Sequence, residues 1–395
     1  MESVWFISSI PGAPTESTPI SLDAIEEIQV NIAPYDVTQG GFTGAGINAI
    51  TRSGDNEFRG SAFYNTRNQS LVGTNARGTG VVTTDFNVEQ YGFRLGGPIV
   101  KDKLFFFISG ESERRSDPNS PFIANAPGRT GANVTRVLKS EMDELRGFMI
   151  NNFGYDPGLY EDYNLATESD KFLIKRDYNI STTHKLSARF NTLLSSRERP
   201  VAITSLGFGG RNQNLFSLNF PNSNYLLTDN VYSGIIELNS NFGNKFANEL
   251  RAGVTSNRNF MSWGGGNFPM IDILEDGRNY TSLGTDLLSP NRGLNSDTWQ
   301  FQNNFTAYLD KHAITAGVNF EYFNSEYTFT PTYFGQYVYN SLDDFYRHAS
   351  GEEVELQRYQ RQYSALTGGQ IPTAVIQAYN RQCLSPGRNL LYTAV

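Results

Sequence analysis

The chain has 395 residues, with 40 Asp plus Glu against 32 Lys plus Arg and a formal charge of −8. Hydrophobic residues make up 38%, aromatic residues 13% (28 Phe, 21 Tyr, 3 Trp), and there are 37 Gly and one cysteine, Cys383. The aromatics exclude a disordered chain, the acidic surplus a nucleic-acid binder, the lack of about 18 consecutive apolar residues a transmembrane helix, and the lone cysteine a disulfide scaffold or a cysteine zinc site.

Met1–Ile10 carries no positive start, and Pro11, Pro14 and Pro19 interrupt any apolar run. An export signal is therefore expected to lie outside this sequence. Ile25–Val30 reads as a short strand, Gly40–Gly46 (GGFTGAG) as a flexible run, and Ile47–Ile50 is apolar. These first fifty residues predict a small unit that feeds into the first long strand.

From about Glu57 onward the apolar residues recur at every second position, which a helix cannot use because its faces repeat every 3.6 residues. Val88–Val100 sets Tyr91, Phe93 and Leu95 against Gln90, Gly92, Arg94 and Gly96. Lys185–Leu194 sets Leu186, Ala188, Phe190 and Leu194 against Lys185, Ser187, Arg189 and Asn191. Thr298–Leu309 and Ala313–Tyr322 repeat the pattern, and weaker versions cover Phe58–Tyr64, Leu104–Glu113, Phe172–Ile180, Tyr232–Leu238 and Phe246–Val254. One helix is predicted over Val137–Phe153, where Leu138, Met142, Leu145 and Met149 fall at helical spacing and would pack onto their own loop.

Connection length is the more informative signal. Short turns are predicted at Lys101–Lys103, Ser181–His184, Phe242–Lys245 and Asp310–Lys311, and loops at Thr66–Thr84, Ser116–Ser169, Arg199–Thr228 and Phe260–Asp297. Outer-membrane barrels alternate in this way, with short periplasmic turns and long outer loops. Phe105, Phe106, Phe107 and Tyr308, beside short turns, would join an interfacial aromatic girdle. The polar residues between the apolar ones, among them Arg59, Arg94, Lys175, Arg189, Glu237, Arg251 and Glu321, would face a wet lumen.

No catalytic or metal-binding constellation is present. His184, His312 and His348 are far apart, and no HExxH, GxSxG or P-loop spacing occurs. Asp343–Asp344 and Glu352–Glu353 read as solvated charges in an acidic chain. No enzyme activity, metal or cofactor is expected.

Several pieces in order carry a resemblance. Ile25–Asp36 reads IEEIQVNIAPYD, Gly41–Gly54 GFTGAGINAITRSG, Asn56–Tyr64 NEFRGSAFY, Leu95–Val100 LGGPIV and Lys101–Phe107 KDKLFFF, with YVYNSLDDF later at Tyr337–Phe345. Together they resemble TonB-dependent outer-membrane receptors of the Oar-like branch. The resemblance implies an all-β fold: an antiparallel transmembrane β-barrel, incomplete at nine or ten strands, following the end of a plug domain. It implies a plug part over residues 1–55 and a barrel part over 56–395. Gly44, Gly46, Asn48, Ser53 and Gly54 would form the plug–barrel junction, with a structural role. Implied partners are outer-membrane lipid, a ligand at the outer loops, and the TonB–ExbB–ExbD system acting through an N-terminal region absent from this sequence. The family has about 22 strands, so the chain is expected to be a piece of a longer receptor. The fading of alternation after Tyr379 agrees with that. The alternative is a β-rich surface-binding or adhesin module using Trp263 or Tyr333 as a stacking platform. A β-rich glycoside hydrolase has no spacing to support it.

Overall fold

The computed structural model describes residues 12–32, 45–73, 75–76, 79–80, 84–202, 210–354 and 358–360. An antiparallel pair, β1 (Ile25–Ile32) and β2 (Ala45–Thr51), opens the chain. β3 (Arg59–Asn68) follows, then the short β4 (Asn75–Ala76) and β5 (Thr79–Gly80), then β6 (Asn87–Val100) and β7 (Leu104–Pro118). The next connection holds β8 (Ile123–Asn125), β9 (Val134–Leu138) and helix α1 (Lys139–Phe153). β10 (Asn164–Asn179), β11 (His184–Arg199), β12 (Tyr225–Phe242) and β13 (Phe246–Trp263) are long. β14 (Met270–Glu275) and β15 (Arg278–Leu283) form a hairpin before β16 (Arg292–Leu309) and β17 (His312–Thr328). β18 (Gln336–Tyr339), helix α2 (Leu342–Ala349) and β19 (Arg358–Gln360) end the described chain.

Nine strands form one antiparallel sheet in the order β17-β16-β13-β12-β11-β10-β7-β6-β3. Each long strand pairs with its neighbours in sequence, as a meander does. The four predicted short turns are all present. Three are closed by a left-handed residue: Asp102, Gly243 and Asp310, at φ 62°, 62° and 50°. In the fourth, Ser181 Oγ instead accepts from the amides of Thr183 and His184.

Alternation gives the sheet one apolar face and one polar face. On β16, Trp299, Phe301 and Phe305 share the apolar face, and Ile314, Val318 and Phe320 continue it on β17; all are exposed. So broad an exposed apolar surface would aggregate in water. The band has a sharp upper edge. On β7 the apolar side runs Leu104, Phe106, Ile108 and then becomes Ser112 and Arg114; on β13 it runs Leu250, Ala252, Val254 and then Ser256 and Arg258. Above that edge, ion pairs take over: Arg114 with Asp170 at 2.8 Å and Arg258 with Asp297 at 2.8 Å. The band from Phe246 to Val254 is roughly 25 Å along the strand at about 3.3 Å per residue, which at the tilt of a barrel strand covers most of a lipid-facing belt about 25 Å tall.

This edge explains one correction. The strands extend beyond the expected ends, so the connections are shorter than the loops read from the sequence. Where a strand rises above the apolar belt it needs no apolar residue on its outer side, and period two disappears while pairing continues. A second correction concerns the girdle. Neighbouring residues on a strand face opposite ways, so Phe106 lies on the apolar face, 6.3 Å from Phe58. Phe107 points to the polar face, buried against Ala24 and Leu173. Phe105 and Tyr308 share that polar-face parity.

At the end of the sheet opposite the short turns, the connections fold into a common cap. One apolar core joins Met142, Leu145 and Met149 of α1 to Phe220, to Phe268, Ile273 and Tyr280, and to Tyr339 and Phe345. A four-stranded mixed sheet, β15-β14-β18-β19, runs through it. The predicted helix therefore exists, starting at Lys139, but it packs onto three other connections rather than onto its own loop alone. Leu138 precedes the helix as its N-cap and is 40% exposed. The expectation of one helix is also corrected: α2 is a second, capped by Ser341 Oγ accepting from the Asp344 amide, with Asp343 and Asp344 in its first turn. Those residues are a helix-start signal.

Leu145→Ala should remove about 2–5 kcal/mol from the cap. Limited trypsin digestion should then cut within residues 119–163, while the strands of the sheet stay protected.

Candidate functional site

Residues 12–32 and 45–54 lie on the polar face of the sheet, and the side-chain contacts there are made by the non-apolar side of a strand. The Gly12 amide donates to Asp229 on β12 at 2.7 Å. Thr15 Oγ1 and Ser195 Oγ of β11 are 2.7 Å apart. Glu16 pairs with Arg197 and lies 3.8 Å from Arg115. Ser61 Oγ of β3 donates to Asp23 at 2.7 Å and accepts from Arg94 Nε of β6 at 2.8 Å. The Arg94 guanidinium also reaches the Asp23 carbonyl at 3.1 Å.

A buried charge also takes part, Glu111 on β7. Lys171 Nζ on β10 donates to it at 2.6 Å, Gln90 donates at 3.0 Å, and Ser21 Oγ of the docked segment donates as well. The side chains of Lys171 and Glu111 are only 6% and 4% exposed. A buried pair survives only when its remaining lone pairs and protons are satisfied, and here the docked segment supplies one of those bonds.

The structure divides the predicted junction residues. Gly44 lies outside the described residues, as does Cys383. Gly46 and Asn48 pair in β2 with Asn31 and Gln29. Ser53 Oγ accepts from Lys175 Nζ at 2.8 Å. Gly54 lies flat against the sheet: a Cβ there would stand 2.2 Å from the Phe106 carbonyl oxygen and 2.8 Å from that of Gly97. Only glycine permits that approach.

The predicted polar residues all share the face that carries the docked segment, but they do not form one cluster. Lys175, Arg189, Glu237 and Arg251 line a single cavity of about 470 Å³ with Thr51 and Ser53. In it Arg251 donates to Glu237 at 3.0–3.1 Å and is held by Glu249 at 2.7 Å. Arg94 stands apart on Asp23. Arg59 pairs with Asp55 and Glu57 at the start of β3, and Glu321 accepts from Gln300 on β16. Glu16, Asp23, Ser195 and Asp229 were not singled out by the sequence; nothing in their spacing marks them, because their partners are 180 or more residues away or come from another element. Among the described residues no group of His, Cys, Asp and Glu could hold a metal ion.

The cap has its own polar interior. Arg211 forms a two-pronged pair with Asp272, at 2.7 and 2.8 Å, with side chains 1% and 0% exposed. Ser282 and Gln336 donate to the same carboxylate at 2.7 and 2.8 Å. Burial pushes the Asp286 carboxyl above its ordinary value, although three backbone amides, of Ala202, Leu288 and Ser289, donate to it. Burial also holds the His348 imidazole of α2 below its ordinary value, beside the Tyr339 hydroxyl at 2.8 Å. Trp263 is engaged with Asn267 and Phe334 rather than presented as a free platform.

Glu111→Ala should leave Lys171 buried without its counter-charge and cost about 3–5 kcal/mol; urea unfolding and faster proteolysis of residues 12–54 would both register it. For His348 the sign follows from linkage. The folded cap binds the proton less readily than the unfolded chain, whose imidazole titrates near 6.5. Cap stability is therefore complete above that value and falls as pH drops from it toward the lower folded value. Protease resistance of the cap should decline as pH falls below about 6.5, and His348→Gln should flatten that decline.

Comparison with known proteins agrees with this geometry. The outer membrane beta barrel domain family matches residues 50–139 and 145–368. Over 193 residues the chain is 41% identical to the TonB-dependent transporter Oar of Myxococcus xanthus, a match that takes in 46% of this chain and 17% of that protein. The crystal structure of the outer membrane transporter YddB from Escherichia coli overlays with a TM-score of 0.53 at 12% identity, covering 87% of this chain and 40% of that one. That likeness shows the fold. The chain thus spans less than half the length of either relative. Antiparallel strands with an apolar belt, short turns at one end and long connections at the other accord with that match: the chain belongs to the outer membrane β-barrel domain family, and its place is the outer membrane of a Gram-negative bacterium.

Proposed function

We propose that the chain is part of a TonB-dependent transporter that moves a ligand across the outer membrane with energy from the TonB–ExbB–ExbD system. Residues 1–55 are read as the end of a plug domain and residues 56–395 as barrel. The polar face, with Arg94, Lys175, Arg189, Glu237 and Arg251, then becomes the lumen wall. The observation that carries this reading is the docking of residues 12–32 and 45–54 onto the polar side alone. A segment held by Asp23, Glu16 and Ser21 against buried charges blocks the space that a ligand would cross. It is also attached by directional bonds that can be exchanged, one by one, for bonds to water. An apolar seal would not offer that route.

The 41% identity with a TonB-dependent transporter supports the same reading. Nine strands leave β3 and β17 as edges of the sheet, and lipid does not tolerate unpaired edges, so closure calls for further strands on both. The ligand is read to meet the cap first, since the cap stands at the long-connection end. The second reading, an adhesin with Trp263 as a platform, has less support because that ring is already engaged by Phe334.

The test is genetic. Deleting the gene and deleting its TonB should change the same transported compound or protein between cells and medium, and the double deletion should add nothing. Normal distribution of that compound or protein in cells lacking TonB alone, while the gene deletion disturbs it, would sink the energised reading.

A further inference from the structure

Among the described residues, the apolar belt of the sheet carries one charge that lipid chains alone do not explain. Arg176 stands on β10 between Ile174 and Tyr178, opposite Phe106 of β7 and Ala188 of β11. It is exposed, and its side chain makes no ion pair or hydrogen bond with any described residue. A lone guanidinium on a lipid-facing strand is costly at mid-membrane and tolerated where it can reach the headgroups. Arg176 is three residues from Asn179, where β10 ends at a short turn. That is roughly 10 Å along the strand, less along the membrane normal because barrel strands tilt.

The surroundings make a built surface. Val100, Leu104, Leu186 and Ala188 line an apolar trough of about 510 Å³ whose charged members are Lys103 and Arg176, both cationic. The Lys103 ammonium lies 5.9 Å from the centre of the Tyr178 ring. A second trough of about 570 Å³ begins at the same Arg176 and Ala188 and continues past Phe190, Ile236 and Trp299. The turn carboxylate of Asp102 accepts from Asn56 Nδ2 at 2.6 Å and is not among the residues that line the trough. Short turns mark the periplasmic side of such barrels.

We propose that this surface binds an anionic phospholipid of the periplasmic leaflet, with the headgroup phosphate between Arg176 and Lys103 and the acyl chains in the two troughs. Charge selects the occupant. Two cations without a carboxylate favour a headgroup of net negative charge, and they repel the cationic end of a zwitterionic one. The small side chain of Ala188 leaves the depth that an acyl chain fills. The proposal stands apart from the transport reading, since it needs neither TonB nor a cargo.

The test uses the protein purified from outer membranes into detergent, delipidated, and titrated in native mass spectrometry with phosphatidylglycerol or phosphatidylcholine of identical chains. Phosphatidylglycerol should be retained at least fivefold more than phosphatidylcholine. Arg176→Leu, which makes the face more apolar and so should insert normally, should bring the two lipids to parity, and Arg176→Lys should keep most of the preference. Millimolar inorganic phosphate should not compete, because it lacks the chains. Equal retention by the unaltered protein, a preference unchanged in Arg176→Leu combined with Lys103→Gln, or competition by phosphate alone would each overturn the assignment.

Discussion

Every long strand of this protein separates two media, and that constraint organises the rest. One side must be apolar over about 25 Å because it faces lipid; the other can be polar only if its charges are answered. The buried Glu111–Lys171 pair shows how strict the second condition is. It is met by Gln90 from a neighbouring strand and by Ser21 from the docked N-terminal segment. The segment is thus a structural partner of the wall it covers, and the wall in turn fixes where the segment can lie. Gly54 adds the geometric half of the fit, since any side chain there would collide with the backbone of β6 and β7.

The cap follows a different logic. Above the apolar belt both sides of the strands are wet, and the connections must bury apolar surface against one another. They do so with an ordinary globular interior, in which α1, β14, β15, β18 and α2 surround Phe220, Phe268 and Phe345. The Arg211–Asp272 pair, fully enclosed and bonded by Ser282 and Gln336, ties the connection between β11 and β12 to the one between β13 and β16 and to the chain after β17. One chain therefore holds two cores governed by opposite solvents.

This difference decides what could be read from the residues alone. The nine-stranded sheet was legible because lipid enforces period two, as in Leu186, Ala188 and Phe190, and because the short turns carry Asp102, Gly243 and Asp310. The upper halves of the strands were not, because nothing there constrains the outer side: Arg114, Asp170 and Arg258 look like loop residues. The cap core was hidden for a third reason. Met142 and Phe345 meet across two hundred residues, and no local spacing reports such a meeting. The helix over Lys139–Phe153 was visible as an element, but its partners were not. Among the site residues, position on the polar face could be read from parity, as for Arg94 and Lys175, whereas contacts such as Asp23 with Ser61 depended on how a separate segment docks.

The cap core has a consequence for the order of assembly. Its members come from four stretches that are brought near each other only by the hairpins between them. Closing loops of that length before any reward appears is slow and entropically costly. The meander must pair first, strand by strand, and the cap can condense only on the finished edge of the sheet. The cap is thereby a late-forming record of correct registration: a slip of one residue in β11 or β13 would displace Phe220 or Phe268 and leave that interior unfilled.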